Sequence, residues 1–257
     1  MKKGNTYWYL SVVSVASFLG VWWLVTEGLH LFSETMLPGP VKVLGAFAEK
    51  FYSTRPEGAT LPVHIVSSLR TVLSGYFLGA VIGIPLGVCM AWFKTADRLL
   101  RPLFDLIKPV PGIAWIPVMI TFFGIGLTGR AMIVFMTAFI ACMVNAYSGV
   151  KQTRDVHLWV ARTFGASNLQ QLFTVAVPTA MPMIMTGLRV ALGAAWSAVI
   201  AAELLASSSG IGFMIQQCRG LARPDIIIAG MAAIGIIGTI LTWVLRQAEK
   251  RLLKGRR

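Results

Sequence analysis

The sequence predicts an all-α, polytopic membrane protein of six transmembrane helices, and three observations predict it. Of its 257 residues 56% are hydrophobic and 13% charged, with a mean hydropathy of +0.72, more apolar surface than a water-soluble domain needs. Five windows carry no charged residue: 4–26, 71–93, 109–129, 131–150 and 226–245. Each holds 20 to 23 residues, enough to cross about 30 Å of hydrocarbon at about 1.5 Å per residue. A sixth window, 181–205, contains Arg189 and Glu203 near its two ends. The third observation is the placement of Lys and Arg. With the N-terminus inside, 15 of the 23 fall on inside segments, from Lys2 and Lys3 to Lys254, Arg256 and Arg257. Seven fall outside, at Lys42, Lys50, Arg55, Arg70, Arg130, Arg219 and Arg223. That excess predicts both termini in the cytoplasm. It also accounts for the net charge of +13 without any nucleic acid.

The first window begins like a signal peptide, with Lys2 and Lys3 before an apolar run. The run is long, ends in Trp22 and Trp23, and shows no small-x-small cleavage site, so it reads as an uncleaved span. In the outer segment Leu37-Pro38-Gly39-Pro40 predicts a turn, because each proline biases its predecessor to extended backbone. Val41, Leu44, Phe47, Ala48 and Phe51 then recur at helical spacing opposite Lys42, Glu49 and Lys50. That pattern predicts an amphipathic helix, lying on the outer membrane boundary or packed on the bundle.

The second window carries Gly75, Gly79, Gly83 and Gly87, each four residues from the next. On a helix they form one groove that admits another backbone closely. The groove serves either internal packing or a seam that slides during gating. Pro85 lies in the same helix and permits a bend. Lys94 to Lys108 mixes charge with Leu99, Leu100, Leu103, Phe104 and Ile107, predicting a helix on the cytoplasmic surface. Pro109, Pro111 and Pro117 then forbid a regular helix over 109–117. Carbonyls freed there must line protein or water rather than lipid, which makes this stretch, with Trp115, a candidate part of a translocation path.

Arg189, Trp196 and Glu203 complete the candidate path. Arg189 and Glu203 are 14 residues apart, about 21 Å along a helix, so they cannot pair within it. Ionisable groups at such depth face protein or water. Arg189 would attract an anionic solute near the inner mouth or make an interhelical contact; Glu203 would pair with a partner residue. The cysteines Cys89, Cys142 and Cys218 form no disulfide or metal pattern, and His30, His64 and His157 are scattered, so no metal site is expected. No G-x-x-x-x-G-K-[ST] phosphate loop occurs, so the chain should bind no nucleotide itself. An ion-driven transporter or channel would need dedicated intramembrane carboxylates or a repeat of spans. A membrane enzyme would need a His/Asp/Glu or Ser/His cluster at the membrane face. Neither pattern is present.

Between the fourth and fifth spans the chain reads Val160-Ala161-Arg162-Thr163-Phe164-Gly165, then nine residues, then Val175-Ala176-Val177-Pro178. This resembles the cytoplasmic E-A-A-x-x-G-x(9)-I-x-L-P loop of bacterial ATP-binding-cassette importer permeases. Val160 stands where the pattern has Glu, and Arg162 where it has its second Ala. Further motifs resemble the nitrate, sulfonate and taurine branch of that family, and most of all its taurine and alkanesulfonate permeases. They are His64, Ser68-Leu69-Arg70 and Gly83-Ile84-Pro85-Leu86-Gly87, then Pro109-Val110-Pro111-Gly112-Ile113-Ala114-Trp115-Ile116-Pro117 and Phe123-Gly124-Ile125-Gly126. Gly187-Leu188-Arg189, Ala195-Trp196, Ala201-Ala202-Glu203-Leu204 and Gly210-Ile211-Gly212 follow in order.

The resemblance implies a type I ABC importer permease fold, with a permease domain over 60–246. An N-terminal span and periplasmic segment would fill 1–59, and a basic cytoplasmic tail 247–257. It implies that two copies form a pathway for a small anionic solute, sulfonate-, taurine- or nitrate-like or a related organic acid. Two ATPase subunits would dock from the cytoplasm, carrying the ATP and Mg, and a periplasmic or lipid-anchored binding protein would deliver solute. The docking loop would fold as a helix-turn-helix and include Ala161, Gly165, Ala166, Val175, Val177 and Pro178. The chain would then be no enzyme, but a multi-pass inner-membrane subunit.

Overall fold

A computed structural model describes residues 3–253, with side chains from Tyr9 to Arg251. Lys2, Lys254, Arg256 and Arg257, counted above for orientation, lie outside the described residues, as does the end of the basic tail. The described chain folds as helices α1 (Lys3–Trp23), α2 (Pro40–Glu49), α3 (Leu61–Trp92), α4 (Lys94–Ile107), α5 (Ile116–Phe123) and α6 (Leu127–Lys151). Then come α7 (Asp155–Thr163), α8 (Asn168–Gln171), α9 (Val177–Leu205), α10 (Ile211–Gly220) and α11 (Pro224–Leu253).

The centre of the bundle is the pair α3 and α6, and its register follows from the four glycines. A Cβ on Gly79 would lie 2.8 Å from Ala138 Cβ and Phe139 N, and one on Gly83 would lie 2.7 Å from Phe139 O. Gly75 meets Ala131 and Val134 in the same way, and Gly87 meets Met143. Position rises along both helices together, so α3 and α6 run parallel. The chain must therefore recross the bundle between Trp92 and Leu127. It does so with α4, a 3₁₀ turn at Gly112–Trp115 and α5, an apolar pair of helical pieces bent by 90°. Among the described residues five helices are long and apolar enough to span a membrane, and the bent pair makes the return that parallel α3 and α6 require. As the prolines predict, the window 109–129 is not one regular helix. Pro109 and Pro111 break its start, and Gly124, at φ +76°, ends α5 before α6 begins.

α9 runs antiparallel to α6, with Gly149 against Ala180 and Met183 and Gly187 against Asn145. α11 runs antiparallel to α9, with Gly238 against Trp196, whose Nε1 donates to Ile234 O at 3.2 Å. α10 lies between them at one end and joins α3, α6, α9 and α11 in a cluster of Val72, Val134, Val199, Ile211, Met214 and Ile226. α1 stands apart. From Tyr9 onward its side chains are nearly all exposed, and Trp22 Nε1 ties it to Pro38 O at 3.2 Å.

Two amphipathic elements lie differently from their sequence pattern. α2 packs through Val43 and Ala46, while Val41 and Leu44 are exposed. Lys50, expected to face water, is only 2% exposed. The chain folds back over it, so that its ammonium donates to the carbonyls of Ser53, Arg55 and Ala59 and lies 2.7 Å from Glu57 Oε1. These partners offset its desolvation. α4 turns Leu99, Leu103 and Leu106 outward and Asp97 inward, where Tyr147 donates to its carboxylate at 3.3 Å. An outward apolar stripe suits a helix lying in a membrane surface.

Candidate functional site

One end of the bundle is built on Ala91, Ala146, Val150, Leu172, Ala176 and Ala180, and from it projects the α7–α8 hairpin. α7 ends in an αL turn: Gly165 has φ +80°, its N–H donates to Arg162 O at 2.9 Å, and Ala166 N donates to Ala161 O at 3.0 Å. Such a turn uses a glycine because a side chain at positive φ is strained. Ser167 then starts α8 with a capping box: Gln170 N donates to Ser167 Oγ at 3.3 Å and Ser167 N to Gln170 Oε1 at 2.7 Å. Gln171, buried, clasps the hairpin. Its amide donates to Ala166 O at 2.8 Å and accepts from Arg162 Nε at 3.2 Å. Arg162, which breaks the sequence pattern, is thus part of the clasp.

Trp159, Val160, Phe164, Leu169 and Phe173 are all exposed on this hairpin, Phe164 at 87%. Five large apolar side chains clustered beyond the bundle end form a surface ready for a protein partner. Of the residues singled out in the sequence, Ala161, Gly165 and Ala166 meet at the turn. Val175, Val177 and Pro178 do not. They lie in one continuous helical run, a π-helical turn at Leu172–Ala176 leading into α9 with Pro178 in its first turn.

The opposite end holds a polar cluster drawn from five segments. Ser68 donates to Glu203 Oε1 at 2.8 Å, and Gly212 N donates to Glu203 Oε2 at 3.0 Å. Arg130 Nη1 lies 3.6 Å from Glu203 Oε1 and donates to Ser209 O at 2.8 Å. Ile211 N donates to Ser68 Oγ at 3.0 Å, and Gly210 N to His64 Nδ1 at 3.2 Å. Glu203 and Ser68 together cap the first turn of α10, placing negative charge where its N–H groups point. Below them Glu57, fully enclosed, joins Lys50 to Cys218, whose Sγ lies 3.8 Å from Glu57 Oε2. Burial, and then the Glu57 carboxylate, push the Cys218 thiol up to about 12.

The candidate path residues separate into two groups. On α9, Pro182, Thr186, Arg189, Gly193 and Ser197 recur at helical spacing and form one open stripe. A polar stripe at membrane depth belongs against water or protein. Arg189 on it lies 3.5 Å from Glu249 Oε2 and donates to Thr186 Oγ1 at 3.2 Å. Pro109, Pro111 and Pro117 are also exposed, and Trp115 half-buried. Glu203 is enclosed within the bundle, and Trp196, also buried, meets the stripe only beside Gly193, with which it lines a groove between α9 and α11. Sequence reasoning missed Arg130 and Gln171. Arg130 alone interrupts an apolar run from 109 to 150, and that isolation was the signal available.

The profile of one family, the binding-protein-dependent transport system inner membrane component, matches residues 64–254. Among curated proteins the chain is 38% identical to the taurine transport system permease protein TauC of Escherichia coli, over 95% of this chain and 88% of that one. It is 29% identical to the putative aliphatic sulfonates transport permease protein SsuC of Bacillus subtilis, over 97% and 88%. It is likewise 29% identical to the nitrate import permease protein NrtB of Synechococcus elongatus, over 91% and 88%. Among solved structures a chain of the inward-facing MetNI methionine ABC transporter superposes with a TM-score of 0.63 at 17% identity, over 76% of this chain and 95% of that one.

Proposed function

We propose, from the premise that this chain belongs to the binding-protein-dependent transport system inner membrane component family, how it works as an ABC importer permease. It is a multi-pass inner-membrane subunit and no enzyme, since ATP hydrolysis belongs to a separate subunit. In our reading two copies form the pathway, with both termini cytoplasmic. The α7–α8 hairpin docks on the ATPase subunits, which carry ATP and Mg, and a periplasmic binding protein delivers solute. The substrate class is a small anion bearing a sulfonate or nitrate-like group, taurine-like solutes included. The relatives' names and the open Arg189 support that class.

The observation that carries the coupling role is the exposed apolar cluster around Gly165, held by the turn, the capping box and the Gln171 clasp. The hairpin is rigid within itself, and its continuous helical exit into α9 offers a direct mechanical path from a docked ATPase into the bundle. A Cβ at Gly165 meets nothing within 4 Å, so Gly165→Leu or Gly165→Asp strains the turn alone and leaves the bundle intact. We expect either variant to insert and assemble normally but to lose its ATPase subunits on purification, with uptake more than about tenfold lower. Full uptake by Gly165→Leu with normal ATPase association would remove the hairpin from the coupling role.

A further inference from the structure

Arg189 and Glu249 form an ion pair placed badly for holding helices together and well for holding a solute. Arg189 stands on the open stripe of α9, and Glu249 reaches it from α11, with Nε 3.5 Å from Oε2. No hydrogen bond joins the two among the described residues, and the Arg189 side chain is 39% exposed. A loose, open pair of this kind contributes little to stability. Thr186 Oγ1 accepts from Arg189 Nη2 at 3.2 Å and donates to Pro182 O at 3.0 Å, which holds the guanidinium on the stripe. Its Nη1 group has no partner among the described residues.

The pair lies at membrane depth. Gly187 is against Asn145, and α6 runs on from there to Lys151, about 9 Å further. Leu188, Leu241 and Leu245 beside the pair belong to an apolar cluster. Charges at that depth belong where water reaches them. Thr186, Arg189 and Ser197 mark that place on α9. Arg246, three positions before Glu249, lines the groove beside Gly193. A solute therefore meets two cations and one carboxylate here, among the described residues. A plain anion that binds Arg189 must take it from Glu249, and it leaves that carboxylate unpaired and facing the anion. A solute that carries an ammonium as well as an anionic group replaces both partners at once. Its anionic group takes the Arg189 donors, and its ammonium takes Glu249.

We propose that Arg189 and Glu249 form a solute subsite selective for a short zwitterion, taking an aminoalkyl sulfonate in preference to a plain sulfonate. This rests on the reading that the α9 stripe lines the pathway of an anion importer. The test uses the permease–ATPase complex in nanodiscs, without the binding protein, and measures equilibrium binding of radiolabelled taurine and radiolabelled ethanesulfonate. We expect the wild type to bind taurine at least about tenfold more tightly than ethanesulfonate. Glu249→Gln should weaken taurine about tenfold, leave ethanesulfonate within about twofold, and leave thermal unfolding unchanged. Arg189→Gln should weaken both solutes. Equal binding of the two solutes by the wild type, or an unchanged preference in Glu249→Gln, would overturn the proposal, as would the absence of saturable taurine binding. Uptake by the full transporter with its binding protein tests the underlying reading separately. Sulfonate uptake without the binding preference removes the subsite alone; a wild type that takes up no anionic solute removes the reading and the subsite with it.

Discussion

Glu203 is fully buried near the C-terminal end of α9, where a bare carboxylate would cost several kcal/mol, and it is retained because Ser68, Gly212 N and Arg130 converge on it. Each partner comes from a different segment, so the carboxylate ties α3, α6, α9 and α10 together. Removing one member strands the others. We expect Arg130→Ala to destabilise the chain by about 3–5 kcal/mol, because it leaves the Glu203 charge buried without its counter-ion. Unfolding of the detergent-solubilised protein measures this, and a loss below about 1 kcal/mol would mean that the carboxylate needs no cation. Glu203 was visible in the sequence as an ionisable residue needing a partner. Its partner was not, because Arg130 precedes it by 73 positions and only the antiparallel packing of α6 and α9 brings the two together.

At the scale of elements, the glycine seam of α3 sets how closely α6 approaches. Gly79→Leu would put a side chain where Ala138 and the backbone of Phe139 now lie, and α6 cannot yield without leaving α9. We expect a loss of at least about 2 kcal/mol and poor assembly, within the usual range for overpacking a close contact. Gly20→Leu is the control, since a Cβ there meets nothing within 4 Å and α1 is otherwise exposed. Equal thermal stability of the two variants would show that the seam carries no packing role. The seam was legible because glycines at a spacing of four strip one helix face of side chains, and close helix approach is what such a face permits. α2 was misread by rotation: periodicity names an apolar face, but the fold-back of residues 53–59 decided that Lys50 would be covered. α4 was read as a helix on the cytoplasmic surface, and which of its faces looks outward depends on whether lipid or water lies there.

For the whole molecule, the parallel pairing of α3 and α6 requires the return crossing through α4 and α5, so residues 50–64, 130 and 203–223 share one end and the α7–α8 hairpin the other. With that end periplasmic, a membrane-impermeant maleimide should label Tyr52→Cys in intact spheroplasts, because Tyr52 is 89% exposed. Trp159→Cys should react only after the inner face is opened. Native Cys218 should stay unlabelled under both conditions, because it is fully buried and its thiol is pushed up to about 12. Labelling of Trp159→Cys before Tyr52→Cys would invert the topology.

Composition, charge-free windows, glycine and proline spacing and the loop motif were sufficient for the class of molecule, the spans and the Gly165 turn. All depend on interactions within a few turns of helix or on transfer of whole segments into lipid, and both are local properties of the chain. Only the tertiary structure decided that Lys50 and Cys218 are buried, that Arg162 and Gln171 clasp the hairpin, that Arg189 lies open while Trp196 does not, and that Arg130 meets Glu203. Those outcomes depend on which helices lie side by side and in what register. A helical repeat states which residues share a face; it does not state what that face meets.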